Sequence, residues 1–282
     1  MRILVISQYF YPENFRINDL CYGLKEKGHN VTVLTGQPNY PNGTFYKGYG
    51  FYKKRFEVIN GINIYRSNLI PRGRGNGFRL FINYISFVFF GLFRLFFIKE
   101  KFDKIFVYAP SPITVGYLGA FASFLFKAKP YIWVHDLWPE SVKDAGGIRN
   151  KTILSLVNLM TKSIYYFYPT ILVQSPQFKD YLLGQGVNDK QIIYYPYYAE
   201  SFYDIVVPST NIKQTFPKGL NIVFAGNIGV AQSFDTIINA VKIASEKIDN
   251  FTLIVLGEGR DKKRILDKIN SMNLNNHFKF LG

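Results

Sequence analysis

RILVISQYFYPENFRINDLCYGLKEKGHNVTVLTG, residues 2–36, is the stretch on which the fold turns. Residues 3–7 form a short continuous apolar run, of the kind buried on both faces of a parallel sheet. After a turn at Tyr11, Pro12, Glu13 and Asn14, the apolar residues Ile17, Leu20, Cys21 and Leu24 recur at helical spacing. Gly28 then stands where a helix-terminating glycine belongs. Residues 31–35 read as a second strand. Strand, helix and strand in so short a span make a βαβ unit, whose right-handed crossover implies a parallel sheet.

The same alternation continues outward. Strand-like runs at 62–66, 104–108, 131–135, 170–174 and 192–195 alternate with helical stretches at about 78–99, 112–127, 150–167 and 176–184. Residues 1–199 therefore read as one doubly wound α/β domain. Residues 200–219 carry Ser201, Pro208, Ser209, Thr210, Asn211 and Pro217 with little periodicity, and read as a linker. Residues 220–282 resume the rhythm, with strands at 220–225, 252–256 and 278–281 and helices at 234–247 and 261–272. Three strands in roughly 65 residues are few for an independent domain. The second domain is accordingly expected to be incomplete, its remainder lying C-terminal to residue 282.

The composition limits the function. The 282 residues suit two domains, and a hydrophobic share of 48% against 19% charged excludes a disordered chain. A net charge of +15 with an aromatic share of 18% points to a membrane interface, a nucleotide or a sugar as partner. Nucleic acid is disfavoured, because the aromatics fall in strands and one helix and no nucleic-acid-binding module is present. The single cysteine, Cys21, permits no intramolecular disulfide and no cysteine-based zinc cage, and reads as a core residue in a reducing compartment. The N-terminus runs directly into a strand without the zones of a signal peptide, so a cytoplasmic location is expected.

LFINYISFVFFGLFRLFFI, residues 80–98, is 19 residues long with one charge, Arg94, and reaches the length of a membrane span. Topology opposes spanning: the strands before and after it should share one sheet. A core helix and a helix dipping its outer face into a lipid interface both remain open. Arg79, Arg94, Lys99 and Lys101 around a phenylalanine-rich body suit the second, because cations meet anionic headgroups while rings lie at the boundary. The preceding loop, PRGRGNGF, adds Arg72 and Arg74, read either as solvated or as contacts to a phosphate.

In an open parallel sheet, ligands bind beyond the C-terminal strand ends. The first strand ends on Glu13, Asn14 and Arg16, and no glycine occurs there before Gly23, which disfavours a nicotinamide or flavin dinucleotide site. The strand at 131–135 ends in HDLWPES, gathering His135, Asp136, Trp138 and Glu140; histidine is readily poised near neutral pH, and a carboxylate can orient it. Its bland reading is a capped turn with an inward tryptophan. In the second unit, AGNIGVAQS places Gly226, Asn227, Ile228, Gly229 and Gln232 after one strand, and GEGR places Gly257, Glu258, Gly259 and Arg260 after the next. Each turn precedes a helix, so backbone N–H groups and the helix dipole could face a phosphate, although glycine also makes ordinary turns. No cluster has metal-ligand spacing and no Asp-x-Asp occurs, so neither metal nor other cofactor is expected.

The motifs RILVISQYFYPE, GHNVTVLTGQPNYP, DKIFVYAPSP, VHDLWPESV, FAGNIGVAQSFD and VLGEGRDKKRIL, in this order, resemble family 4 of the retaining glycosyltransferases. Within it they resemble the bacterial branch that builds O-antigen, capsule and colanic-acid-type polysaccharides. The resemblance implies the GT-B architecture, two Rossmann-like domains facing a cleft. It implies an N-terminal domain that binds a polyprenyl-diphosphate-linked saccharide, with Glu13, Asn14, Arg16, Asp136 and Glu140 as candidates. A C-terminal domain would bind a nucleotide sugar, commonly a uridine diphosphate sugar, through the residues of the two glycine turns. His135 matches the family's strand-end histidine near the transferred sugar. An anionic membrane at the cytoplasmic face is the implied setting, with Arg72, Arg74, Arg79 and Arg94 as contacts.

Two departures stand out. Asn227 and Gln232 occupy places where many members carry an Arg and a Lys that grip the diphosphate, so backbone N–H groups at 226–229, or Arg260, would carry more of that load. The family's Glu-x7-Glu loop, which holds the donor's ribose and sugar, is expected beyond Gly282. A chain without it is alternatively an inactive membrane-associated fragment.

Overall fold

A computed structural model describes residues 1–73, 77–144, 147–200, 203, 205–207 and 215–281. Contacts divide the chain into two units, Met1–Glu200 and Ser201–Gly282. Arg74 and residues 201, 202, 204 and 208–214 of the expected linker lie outside the described residues.

The first unit is built on an eight-stranded sheet of order β3-β4-β2-β1-β5-β6-β7-β8. Its strands are β1 (Arg2–Ile6), β2 (Asn30–Gly36), β3 (Phe56–Ile59), β4 (Ile62–Ser67), β5 (Lys104–Ala109), β6 (Lys129–Val134), β7 (Ile171–Val173) and β8 (Ile192–Tyr194). All pairings are parallel except β3–β4. Alternation along β1 supplies both faces: Leu4 and Ile6 enter one apolar cluster, and Ile3 and Val5 enter another on the opposite face. Helix α1 (Arg16–Glu26) covers the second cluster with Ile17 and Cys21. Helices α2 (Gly77–Leu95), α3 (Val115–Phe126), α5 (Lys151–Tyr166) and α6 (Pro176–Gly184) cover the first with Phe87, Leu118, Ile164 and Leu182. The short α4 (Glu140–Asp144) follows β6.

Local chemistry explains the helix ends. Gly28 adopts φ +81°, the left-handed conformation that closes α1 at little cost only for glycine, and its N–H donates to the Lys25 carbonyl at 2.9 Å. Asn150 caps α5 by accepting from the N–H groups of Thr152 and Ile153, and Ser175 caps α6 ahead of Pro176.

The antiparallel edge strand β3 is absent from the sequence reading, although its signal is present. Asn60 and Gly61 join β3 to β4 with φ of 50° and 72°, the two positive values that a tight hairpin turn demands. The long apolar segment is not a span: β4 before it and β5 after it lie in one sheet, and α2 packs Asn83, Ser86, Phe87, Gly91, Arg94 and Leu95 inward.

The second unit has the parallel order β11-β10-β9, formed by Leu220–Ala225 (β9), Phe251–Leu256 (β10) and Phe278–Phe280 (β11). Helices Phe234–Ser245 and Lys262–Ser271 close a separate core around Ile238, Phe251, Val255, Ile265 and Ile269.

Candidate functional site

The strand order reverses between β1 and β5, so the crevice beyond their C-terminal ends is where a ligand of such a sheet sits. His135, the residue after β6, lies at this edge. Its imidazole is buried, 4.4 Å from the Tyr108 ring, 4.3 Å from Trp133 and 5.2 Å from Tyr197 between centroids. Nδ1 is hydrogen-bonded to the Tyr197 hydroxyl, while Nε2 is buried without a partner. Burial, and then the Arg16 guanidinium, hold the ring's pKa down to about 3, so it is neutral at pH 7. Burial pushes the Tyr197 phenol up to about 12. That hydroxyl is therefore protonated and can donate to Nδ1, which puts the imidazole proton on Nε2, a buried donor left without an acceptor among the described residues. The backbone is held as well: the His135 N–H donates to the Ala109 carbonyl at 3.1 Å and its carbonyl accepts from Gln174 at 3.1 Å.

Asp136 is half-buried, its pKa raised by burial and lowered by the Ser111 hydroxyl. Tyr84, Tyr108 and Tyr197 lie within its electrostatic reach. Across the edge Arg72 stacks its guanidinium 4.9 Å from the Tyr40 ring, which joins Tyr9 and Phe15 in an aromatic group. The edge thus presents a neutral donor, a carboxylate, a cation and flat rings, equipment for orienting a polyhydroxylated or phosphorylated ligand.

Other expected site residues have different duties. Glu13 is buried, and its Oε1 accepts from the N–H groups of Asn39 and Tyr40, both at 2.7 Å. It ties the loop after β1 to the loop after β2. Arg16 pairs with Glu200 at 3.3 Å, donates to the Tyr198 carbonyl and covers the Tyr197 ring at 4.7 Å, so it fastens the segment that carries Tyr197. Asn14 is exposed at the entry to α1. Glu140 accepts from the Tyr181 hydroxyl of α6. Arg79 is exposed and donates to the Pro71 carbonyl at 2.9 Å. Arg94 is buried rather than displayed on the outer face of α2, and its Nη2 donates to the Arg55 carbonyl at 2.6 Å.

The pKa of Glu13 gives a stability prediction. Burial lifts its carboxyl from 4.5 to about 7, against the pull of the two N–H groups. A raised carboxyl favours folding at low pH, and this contribution is lost as pH rises through about 7. Glu13→Gln does not titrate, so relative to this variant the wild type is expected to lose about 3 kcal/mol between pH 4 and 8. Urea unfolding at several pH values measures it; parallel curves for the two proteins would remove the assignment.

In the second unit the glycines serve close backbone approach. A Cβ on Gly257 would lie 1.9 Å from the Gly226 carbonyl oxygen, and one on Gly259 1.9 Å from that of Ile228. The Gly226 N–H donates to the Leu256 carbonyl at 3.0 Å and the Ile228 N–H to that of Glu258 at 2.9 Å. These two N–H groups are spent on the neighbouring turn, which corrects the expectation that all of 226–229 would face a diphosphate. Ile228 is corrected too, because its side chain is fully buried in the unit's core. Asn227, Gln232, Glu258 and Arg260 are exposed, Glu258 paired with Lys262 at 2.5 Å, and a Cβ on Gly229 would lie 2.8 Å from Asn227 Nδ2 and 3.1 Å from Gln232 Oε1. Among the described residues, no three His, Cys, Asp or Glu side chains converge as metal ligands would.

Tyr197, Tyr108, Gln174 and Ser111 escaped the sequence reading. A signal for Tyr197 exists: YYPYY at 194–198 follows directly on the end of β8.

The sequence matches no protein-family profile and no curated protein. The fold is found among solved structures. The lipopolysaccharide outer core galactosyltransferase WaaB is 12% identical over 100% of this chain and 68% of its own, with a TM-score of 0.55. The catalytic domain of starch synthase IV from Arabidopsis thaliana, bound to ADP and acarbose, is 11% identical over 99% and 73%, with a TM-score of 0.62. The UDP-GlcNAc 2-epimerase of Methanocaldococcus jannaschii is 13% identical over 100% and 73%, with a TM-score of 0.52. At such identities likeness establishes architecture alone. The protein has the GT-B fold of two Rossmann-like parallel-sheet units, the fold it shares with these sugar-transferring and sugar-epimerising enzymes.

Proposed function

We propose that the protein is a retaining glycosyltransferase of family 4. It moves a sugar from a uridine diphosphate sugar to a polyprenyl-diphosphate-linked saccharide at the cytoplasmic face of the membrane, in the assembly of a bacterial surface polysaccharide. The observation that carries this is His135: a neutral, buried imidazole at a C-terminal strand end, its Nδ1 engaged by Tyr197 and its Nε2 without a partner. Such a group donates a fixed hydrogen bond and holds no charge at neutral pH, which suits orienting a sugar hydroxyl better than abstracting a proton. The aromatic group at Tyr9, Phe15 and Tyr40 with Arg72 suits an acceptor that combines saccharide and phosphate. Asn227, Gln232 and Arg260, with the N–H groups of Asn227 and Gly229, remain the donor-side candidates. Transfer with retention would then rest on positioning and on stabilising the leaving diphosphate.

The test incubates the chain with uridine diphosphate sugars, with and without a polyprenyl-diphosphate saccharide. Acceptor-dependent release of uridine diphosphate, with the anomeric configuration kept, is the expected result. Appearance of an epimeric nucleotide sugar without acceptor would identify an epimerase instead. Failure to bind uridine nucleotides, with membrane binding kept, would identify an inactive membrane-associated fragment.

A further inference from the structure

Two observations on the outer side of α2 belong together. The first is a ridge. Phe78, Phe81, Ile85, Phe89 and Phe93 follow one another at helical spacing and continue into Phe96 and Phe97, all exposed, Phe78 to 76% and Phe93 to 55%. The sequences of α2, its neighbour α3 and α5 contain no Asp or Glu, and Phe124 of α3 and Leu156 and Leu159 of α5 are exposed as well. A water-facing helix ordinarily mixes charges of both signs on its outer face. These helices keep cations alone, with Arg79 in the first turn of α2 and Lys151 and Lys162 on α5; beyond the end of α2, Lys99 and Lys101 flank Glu100.

The second is a cavity of about 70 Å³ at the foot of the ridge, lined by Arg55, Arg66, Asn68, Phe93, Arg94 and Phe97 among others, and by no carboxylate. Arg66 is paired with Glu57 at 2.5 Å. Among the described residues no ion pair serves Arg55 or Arg94. Arg94 is buried with its Nε lacking a partner, and burial and the repulsion of Arg55 both lower its pKa. The two guanidinium groups each lie 5.8 Å from the centre of the Phe97 ring. Two adjacent cations kept together without a counter-charge, one of them desolvated, make a site for an anion. Phe93 and Phe97 belong to both features, so the anion held there would have apolar surroundings beside it.

We propose that α2 lies flat in an anionic lipid surface, its phenylalanine ridge among the acyl chains, with the phosphate of one lipid headgroup seated between Arg55 and Arg94. A phospholipid joins a phosphate to acyl chains in one molecule, as the cavity and the ridge are joined at Phe93 and Phe97. A second copy of the chain fits poorly, because like-charged seats would meet. The inference deepens the membrane-surface part of the reading above and rests on that part alone.

Flotation of the full chain with vesicles tests it, without donor or acceptor, so the result is independent of the transfer assay. Phosphatidylcholine vesicles are compared with vesicles containing about one third phosphatidylglycerol. The wild type is expected to bind the anionic vesicles about tenfold more tightly. Arg55→Gln, at an exposed residue, is expected to lower that binding about fivefold, and Lys190→Gln, an equal loss of charge on a different surface, by less than about twofold. A Phe81→Ser, Phe89→Ser double variant should lose about tenfold or more on both vesicle types, with thermal unfolding confirming that it remains folded. Equal effects of Arg55→Gln and Lys190→Gln, or vesicle binding kept by the double variant, would overturn the proposal. So would Arg55-dependent binding of millimolar inorganic phosphate without vesicle binding, or self-association through the ridge in sedimentation.

Discussion

His135→Phe is expected to reduce sugar transfer about 100- to 1,000-fold, the loss typical of removing one fixed hydrogen-bond donor from a reacting group. Phenylalanine can keep the packing against Tyr108 and Trp133, whose centroids lie 4.4 and 4.3 Å from the imidazole, so the change is aimed at the two ring nitrogens. Initial rates at saturating donor measure it. A variant within a few-fold of the wild type would remove His135 from the transfer proposal.

The same substitution has a signature in stability. The folded ring has its pKa lowered to about 3 from an ordinary 6.5, so its neutral form favours folding. That contribution is present above pH 6.5 and is lost as pH falls towards 3. The wild type should therefore lose about 2.5 kcal/mol, relative to the phenylalanine variant, between pH 7 and 4.5. Denaturant midpoints at the two pH values test this, and equal losses would show that the imidazole is not held neutral. For the same reason the wild-type pH–rate profile should show no histidine ionisation near 6.5.

Gly259→Ala is expected to cost about 3–5 kcal/mol, the range of a severe packing error. The new methyl would sit 1.9, 2.4 and 2.7 Å from the O, C and N of Ile228, backbone atoms that no rotamer change can move. Relief requires the two turns to part. Parting them breaks the Ile228-to-Glu258 bond at 2.9 Å and the Asp261-to-Ile228 bond at 3.2 Å and pulls Ile228 out of the core. The second unit should lose hydrogen-exchange protection across β9 and β10, and nucleotide affinity with it. Gly23→Ala is the control: its Cβ would meet nothing within 4 Å inside α1, so a gain of about 0.5–1 kcal/mol is expected. Unchanged protection in Gly259→Ala would show that the turns are not interlocked.

The interlock bears on how far the site could be read from residues in order. GNIG and GEG look like two separate phosphate grips, yet two of the four N–H groups at 226–229 are occupied by the turn alongside. A glycine that admits a ligand and a glycine that admits a neighbouring backbone leave the same mark on a sequence. Glu13 and Arg94 show a related limit. Both are charged residues beside expected surfaces, and both are buried, because their partners are main-chain groups of loops distant in the chain, Asn39 and Tyr40 for one and Arg55 for the other.

Periodicity is local, and wherever a pattern lies within one element or one crossover the residues alone were sufficient. The βαβ rhythm, the parallel sheets, the helix stop at Gly28 and the position of His135 at a strand end all follow from spacing in the chain. Which face of α2 stays uncovered, which partner closes on Nδ1 of His135, and whether a glycine faces a ligand or a carbonyl depend on contacts between segments tens of residues apart. Such contacts are set by packing, which leaves no period to read in either partner, and so they emerge only in the folded chain.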